Sequence, residues 1–121
     1  MQGVQFTATS TTAENQMLSN PMYVHSIPSN NDNQDIVSMG ANASLICKKV
    51  IMNSYEVLAI EWMTILQAID YLKMQDKLSS KSKDAYVKLR KIFPCFVEDT
   101  TKYKDVKAVR DFIFYNHIEI L

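Results

Sequence analysis

Catalysis or metal binding needs reactive side chains brought close together, and this chain holds few candidates. His25 and His117 lie far apart, and neither has a Cys, Asp or Glu at the spacing of a metal-ligand set. Cys47 and Cys95 form no C-x-x-C pair and define no disulfide framework, so reduced thiols in a cytoplasm are expected. Gly3 and Gly40 stand alone, which excludes a glycine-rich phosphate cradle. Glu98-Asp99 is an adjacent acid pair between two helical segments, and it suits capping or solvation better than proton transfer. Trp62 sits on an apolar stripe and reads as core, not as a platform for substrate. That leaves Ser29-Asn30-Asn31-Asp32-Asn33-Gln34-Asp35, seven consecutive polar residues that no packed helix would choose. Composition and spacing alone make this stretch a surface loop with no assigned chemistry.

The elements around the loop follow from composition. The chain has 121 residues, of which 47% are hydrophobic, and a formal net charge of zero. That length suits one small domain, and the apolar fraction is enough for a packed core. Two glycines and three prolines are too few for a chain of short strands and tight turns, so a mainly helical fold is expected. Neutrality argues against nucleic acid as a partner, because phosphate binding needs a basic stripe. The charge is nevertheless segregated. Residues 1–47 carry Glu14, Asp32 and Asp35 with no Lys or Arg, a net of −3, whereas residues 48–121 hold thirteen basic and ten acidic residues, a net of +3. The first residues lack the basic and apolar regions of a signal peptide. The most apolar window, Val57 to Ile69, contains Glu61 and Gln67 and is too short to span a bilayer. A soluble cytoplasmic protein with no membrane partner is expected.

Residues 1–35 are rich in Ser, Thr, Asn and Gln, and runs such as Thr7 to Thr12 have weak helix propensity. Propensity alone makes this part loop or disorder, broken further by Pro21 and Pro28. From Ala41 to about Lys73 no Gly or Pro intervenes, and Ser38 is the expected N-cap of a long helix. Ile51, Tyr55, Leu58, Trp62, Ile65, Ile69 and Leu72 alternate spacings of four and three and share one face. Val50, Val57, Ala59, Ile60, Met63 and Leu66 widen that face far beyond a narrow seam. Two shorter helices are expected, Lys81 to Phe93 before Pro94 and Tyr103 to about Tyr115, with Tyr86-Leu89-Phe93 and Val106-Val109-Ile113 as their apolar faces. Two such helices cover one side of the long one, so its remaining apolar surface is expected to meet something else.

Ser26-Ile27-Pro28 through Asp35-Ile36-Val37-Ser38-Met39-Gly40 resembles the signature of the aromatic amino acid ammonia-lyases and related aminomutases. Gln2 to Glu14 resembles the stretch preceding that loop in bacterial members. Val57-Leu58-Ala59-Ile60-Glu61 with Gln67-Ala68-Ile69-Asp70 is similar to their central C-terminal helix. Phe96-Val97-Glu98-Asp99 and Tyr103 to Val109 match the pattern near the family's C-terminus.

The resemblance implies an all-α segment of a much longer enzyme: a partial active-site segment over residues 1–40, then a C-terminal helical segment over 41–121. It also implies that residues 2–18 are helical despite their propensity. Family members form homotetramers around a helical bundle. They eliminate ammonia from tyrosine, phenylalanine or histidine using a methylidene-imidazolone ring made from an Ala-Ser-Gly tripeptide. Here Gly3 follows Gln2 and Gly40 follows Met39, so that tripeptide is absent, no catalytic residue is expected in these 121 residues, and the chain alone is expected to be inactive. Substrate-binding roles are implied for Asn30, near the substrate amino group, and for Asn33 and Gln34, which hold the substrate and orient the ring. Histidine-specific members resemble this loop but carry glutamate where Gln34 stands. An aminomutase segment, or a helical assembly piece without chemistry, are the alternatives.

Overall fold

The computed structural model describes residues 1–31, 33–34 and 38–116. Four α-helices account for most of them: α1 (Gln2–Met17), α2 (Gly40–Tyr71), α3 (Ser80–Ile92) and α4 (Tyr103–Tyr115). The described residues contain no β-strand, only an isolated antiparallel bridge between Ser29 and Gln34. The fold is all-α, as the composition implies. Three helices fall within a few residues of the bounds read from periodicity. The fourth, α1, is the one that propensity denies and the family resemblance supplies.

The Thr- and Asn-rich composition of α1 becomes intelligible once α2 lies beside it. Val4 and Ala8 pack against the apolar core. Further along, the polar side chains bond across to α2. Thr11 Oγ1 donates to Glu56 at 3.1 Å, and Asn53 Nδ2 donates to Glu14 at 2.8 Å and to Asn15 at 2.9 Å. Asn53 is buried, so its amide needs these partners. Residues that compete with a helix in isolation here form a polar seam between two helices, and packing outweighs propensity.

α2 has 32 residues, about 48 Å at 1.5 Å per residue. Its N-cap is Met39 in the left-handed region (φ 51°), with no side-chain capping bond, which corrects the expectation that Ser38 caps it. Its C-terminus closes in a Schellman arrangement. Lys73 takes φ 51°, the Met74 N–H bonds the Ile69 carbonyl, and the Lys73 N–H bonds the Asp70 carbonyl. Ser79 then caps α3 by accepting from the Ser82 N–H, and α3 stops at extended Phe93 before Pro94.

The core joins Ala59, Ile60, Met63 and Leu66 of α2 to Leu89, Phe93, Val106 and Val109. This is the flank of the α2 pattern, not its main stripe. α1 and α4 pack along the flank, while Ile51, Leu58 and Ile65 remain 42–46% exposed. Trp62 packs against the core from its edge. The long helix is apolar on two sides, and these residues cover one of them.

A half-buried polar knot fastens the far end. Arg90 pairs with Asp70 at 2.5 Å and donates to Gln67 at 2.9 Å and to the Phe93 carbonyl at 3.0 Å. The Tyr86 hydroxyl and Gln75 amide also donate to Asp70, and Gln67 reaches the Phe96 carbonyl. Burial alone would raise the Asp70 pKa, but the bonds from Tyr86 and Gln75 and the Arg90 charge outweigh it and hold it below its ordinary 3.8. The same bond to Asp70, followed by burial, pushes the Tyr86 phenol above its ordinary 10.0.

Because Asp70 is easier to ionise when folded, its contribution to stability is complete above the unfolded value and is lost as pH falls through the lower folded one. Asp70→Asn is therefore expected to cost about 1–3 kcal/mol at pH 7. The gap to wild type should narrow below about pH 3.8. Urea unfolding at pH 7 and at pH 3 measures both, and an equal gap at the two values would contradict this account.

Candidate functional site

α1 ends where Leu18 bonds back to Glu14, and Pro21 turns the chain into a short helical turn at Met22–Val24. The polypeptide then reaches the polar stretch and folds it into a tight turn. The Ser29 N–H donates to the Gln34 carbonyl at 2.9 Å, and the Gln34 N–H returns to the Ser29 carbonyl at 3.2 Å. Inside this bridge the Asn33 N–H donates to the Asn30 carbonyl at 3.2 Å. Asn30 and Asn31 have φ of 55° and 56°. Asparagine tolerates that left-handed region better than other residues with a Cβ, so these two are the right types for the turn.

The turn brings Asn30, Asn33 and Gln34 into one short segment and leaves all three exposed. The Ser29 hydroxyl donates to Gln34 Oε1 at 3.5 Å. The three side chains are primary amides, which offer donors and an acceptor and do not titrate. They can orient a polar ligand but cannot serve as nucleophile or general base. Asp32 and Asp35 lie outside the described residues.

Other candidates stay apart. His25 is exposed, and His117 lies outside the described residues. Cys47 and Cys95 are free and exposed. Among the described residues no group of three or more His, Cys, Asp or Glu side chains could hold a metal ion. Nor is any described helix long and apolar enough to cross a membrane.

A cavity of about 900 Å³ opens at the other end of α1, between its first turns, Glu56 and the start of α4. None of Asn30, Asn33 and Gln34 lines it. Several of its charged groups are paired: Arg110 with Asp111 at 2.7 Å and Glu56 at 3.9 Å, Lys102 with Asp105 at 3.7 Å, and Asp99 with the Met1 amino group at 3.3 Å, while Lys107 also lines it. The sequence reading missed the Asp70–Tyr86–Arg90 knot. Tyr86 and Arg90 are four apart on α3, which signals a shared face, but nothing in the pattern points to Asp70 as their partner.

With this geometry in place, the comparisons identify the class. The family model described as aromatic amino acid lyase matches residues 1–91. The chain belongs to the aromatic amino acid lyase family. A histidine ammonia-lyase of Macrococcus caseolyticus is 42% identical over 110 residues, which are 91% of this chain and 22% of that protein. The MIO-dependent tyrosine 2,3-aminomutase of Streptomyces globisporus is 36% identical over 109 residues, covering 90% of this chain and 20% of the relative. The crystal structure of that organism's tyrosine aminomutase superposes with a TM-score of 0.88 at 35% identity, covering 93% of this chain and 21% of that one. This chain thus spans about a fifth of the length of the curated relatives it matches.

The turn depends on residues that accept positive φ. Asn31→Val forces a β-branched side chain into the left-handed region, at a cost of about 1–3 kcal/mol. Amide exchange at Ser29 and Gln34 is expected to accelerate about tenfold or more, with Asn31→Gly close to wild type. Unchanged protection in Asn31→Val would mean the bridge does not rest on that conformation.

Proposed function

We propose that this chain supplies part of the substrate pocket of an aromatic amino acid ammonia-lyase that assembles as a homotetramer. Asn30 stands near the substrate amino group, and Asn33 and Gln34 hold the substrate and orient the electrophile. The observation that carries this reading is the turn bridged by Ser29 and Gln34, which displays Asn30, Asn33 and Gln34 inside the stretch matched by the family model. In this reading residues 1–40 are the active-site portion, and 41–121 are the helical portion that supports it.

The family resemblance implies a methylidene-imidazolone ring. When bound, it supplies an electrophile that makes the amino group a leaving group. The 121 residues contain no Ala-Ser-Gly sequence, so none of them forms the ring. The exposed amides of the turn suit its neighbourhood: they donate hydrogen bonds to a carbonyl oxygen or a carboxylate and compete for no proton. Removal of the β-proton needs a base, and Asn30, Asn33 and Gln34 do not provide one.

Gln34 points to the substrate. A carboxylate at this position can pair with an imidazole N–H or imidazolium, and a charge-assisted hydrogen bond is roughly twice as strong as a neutral one. An amide loses that advantage for histidine and costs a phenol or phenyl ring nothing. We therefore assign tyrosine as the preferred substrate, then phenylalanine, with histidine last. The order rests on Gln34 alone, since the chain is similar both to histidine ammonia-lyases and to a tyrosine aminomutase; the latter favours, as a second reading, an aminomutase acting on tyrosine.

The test grafts these residues into the matching segment of the Macrococcus caseolyticus histidine ammonia-lyase. The graft is expected to release arylacrylate, read by ultraviolet absorbance, with kcat/KM shifted from histidine toward tyrosine. Gln34→Glu should reverse the shift by about tenfold, the worth of about 1.4 kcal/mol. The isolated chain should release no product. Turnover by the isolated chain, or a graft whose preference ignores residue 34, would overturn the reading.

A further inference from the structure

α1 carries the chain toward the amide turn, yet it buries none of its own residues fully. Its apolar contacts with the core, through Val4 and Ala8, lie in its first half. Such contacts are non-directional, so they do not by themselves fix how α1 is rotated or how far it slides along α2. Asn53 supplies the direction. Its buried Nδ2 gives one N–H to Glu14 Oε2 at 2.8 Å and the other to Asn15 Oδ1 at 2.9 Å. Successive residues of a helix point about 100° apart, so meeting both acceptors at once fixes rotation and height together. Lys49, one turn earlier on α2, adds an ion pair to Glu14 at 3.5 Å, and Asn15 Nδ2 donates to Ser54 Oγ at 3.5 Å.

The path from this clasp to the turn is short and bonded. The Glu14 carbonyl accepts the Leu18 N–H at 2.9 Å, and the Gln16 carbonyl accepts the Ser19 N–H at 3.2 Å. Asn20 Nδ2 donates to the Met17 carbonyl at 3.2 Å. Pro21 then opens the Met22–Val24 turn, which rests against α2, and the His25 N–H closes it on the Met22 carbonyl at 3.0 Å. Ser26, Ile27 and Pro28 alone separate it from the bridge at Ser29. We propose that Asn53 is a positioning residue for substrate binding: by fixing the register of α1 on α2, it sets where the turn presents Asn30, Asn33 and Gln34. The proposal rests on the reading that this turn faces the substrate. A shift of about 1 Å in groups that hold a substrate is enough to cost a large factor in turnover efficiency.

The test uses the grafted enzyme. Asn53→Asp replaces the double donor with a carboxylate facing Glu14, so both bonds are lost and like charges meet. KM for tyrosine is expected to rise about tenfold, with kcat changed less than about threefold. Amide exchange at Ser29 and Gln34 is expected to accelerate several-fold. Adding Glu14→Gln reverses donor and acceptor: the new amide donates to Asp at 53, Asn15 turns its amide over to donate, and Lys49 pairs with that carboxylate four residues away. This double variant is expected to recover both KM and slow exchange. A loss of folded enzyme alone would lower kcat and leave KM unchanged. Asn53→Ser, whose side chain is too short to reach both partners, carries the same expectation and decides the matter where Asn53→Asp does not assemble. Unchanged exchange at Ser29 and Gln34, or no recovery on adding Glu14→Gln, would overturn this inference alone. Faster exchange with unchanged KM would overturn it together with the reading that the turn faces the substrate.

Discussion

A helix of 32 residues with apolar side chains on two of its sides cannot be satisfied by a few short neighbours, and the rest of this structure follows from that constraint. α1 and α4 take the side formed by Ala59, Ile60, Met63 and Leu66 and close a buried core there with Leu89, Phe93 and Val109. The other side keeps its line of Ile and Leu in solvent. A surface of that kind marks an interface. The family model and the relatives give the physical context: these residues correspond to about a fifth of proteins whose remaining length can supply such cover.

The same helix positions the turn. α1 lies along α2 through a seam of polar bonds, with Asn53 at its centre, and the short turn Met22–Val24 that follows it also contacts α2. At the opposite end, the knot of Asp70, Tyr86 and Arg90 secures α3 and the segment after it. The bridged turn is therefore an outgrowth of a braced helical pair, and its own bonds fix its shape. Amides displayed this way can donate and accept hydrogen bonds, and they cannot serve as nucleophile or general base.

Much of this was legible in the residue pattern, for identifiable reasons. The alternating spacings of α2 and the short apolar faces of α3 and α4 survive in the fold, with Tyr103–Tyr115 at the expected bounds. Periodicity could not say which of two apolar flanks would find cover, because both satisfy the same repeat. Packing chose the flank of Ala59, Ile60, Met63 and Leu66 and left Ile51, Leu58 and Ile65 exposed. α1 was illegible to propensity because Thr11, Glu14 and Asn15 bond across to another helix, while Thr9 and Thr12 bond back to the Gln5 and Ala8 carbonyls within their own. The family resemblance recovered it. Ser38 looked like a cap by type, yet the chain enters α2 through Met39 at positive φ. For the site, composition revealed only a polar loop. Its hydrogen-bonded closure through Ser29 and Gln34, with two successive asparagines at positive φ, is a tertiary fact that residue type hints at and does not determine.

The central claim is that residues 29–34 face the substrate. Hydrogen exchange tests it most directly when measured across this turn in the grafted, active enzyme with and without a saturating arylacrylate product. Slower exchange of the Ser29 and Gln34 amides and their immediate neighbours on binding, with little change along α3, is the predicted result. Protection confined to other parts of the enzyme, with the turn exchanging as it does when free, would contradict the account.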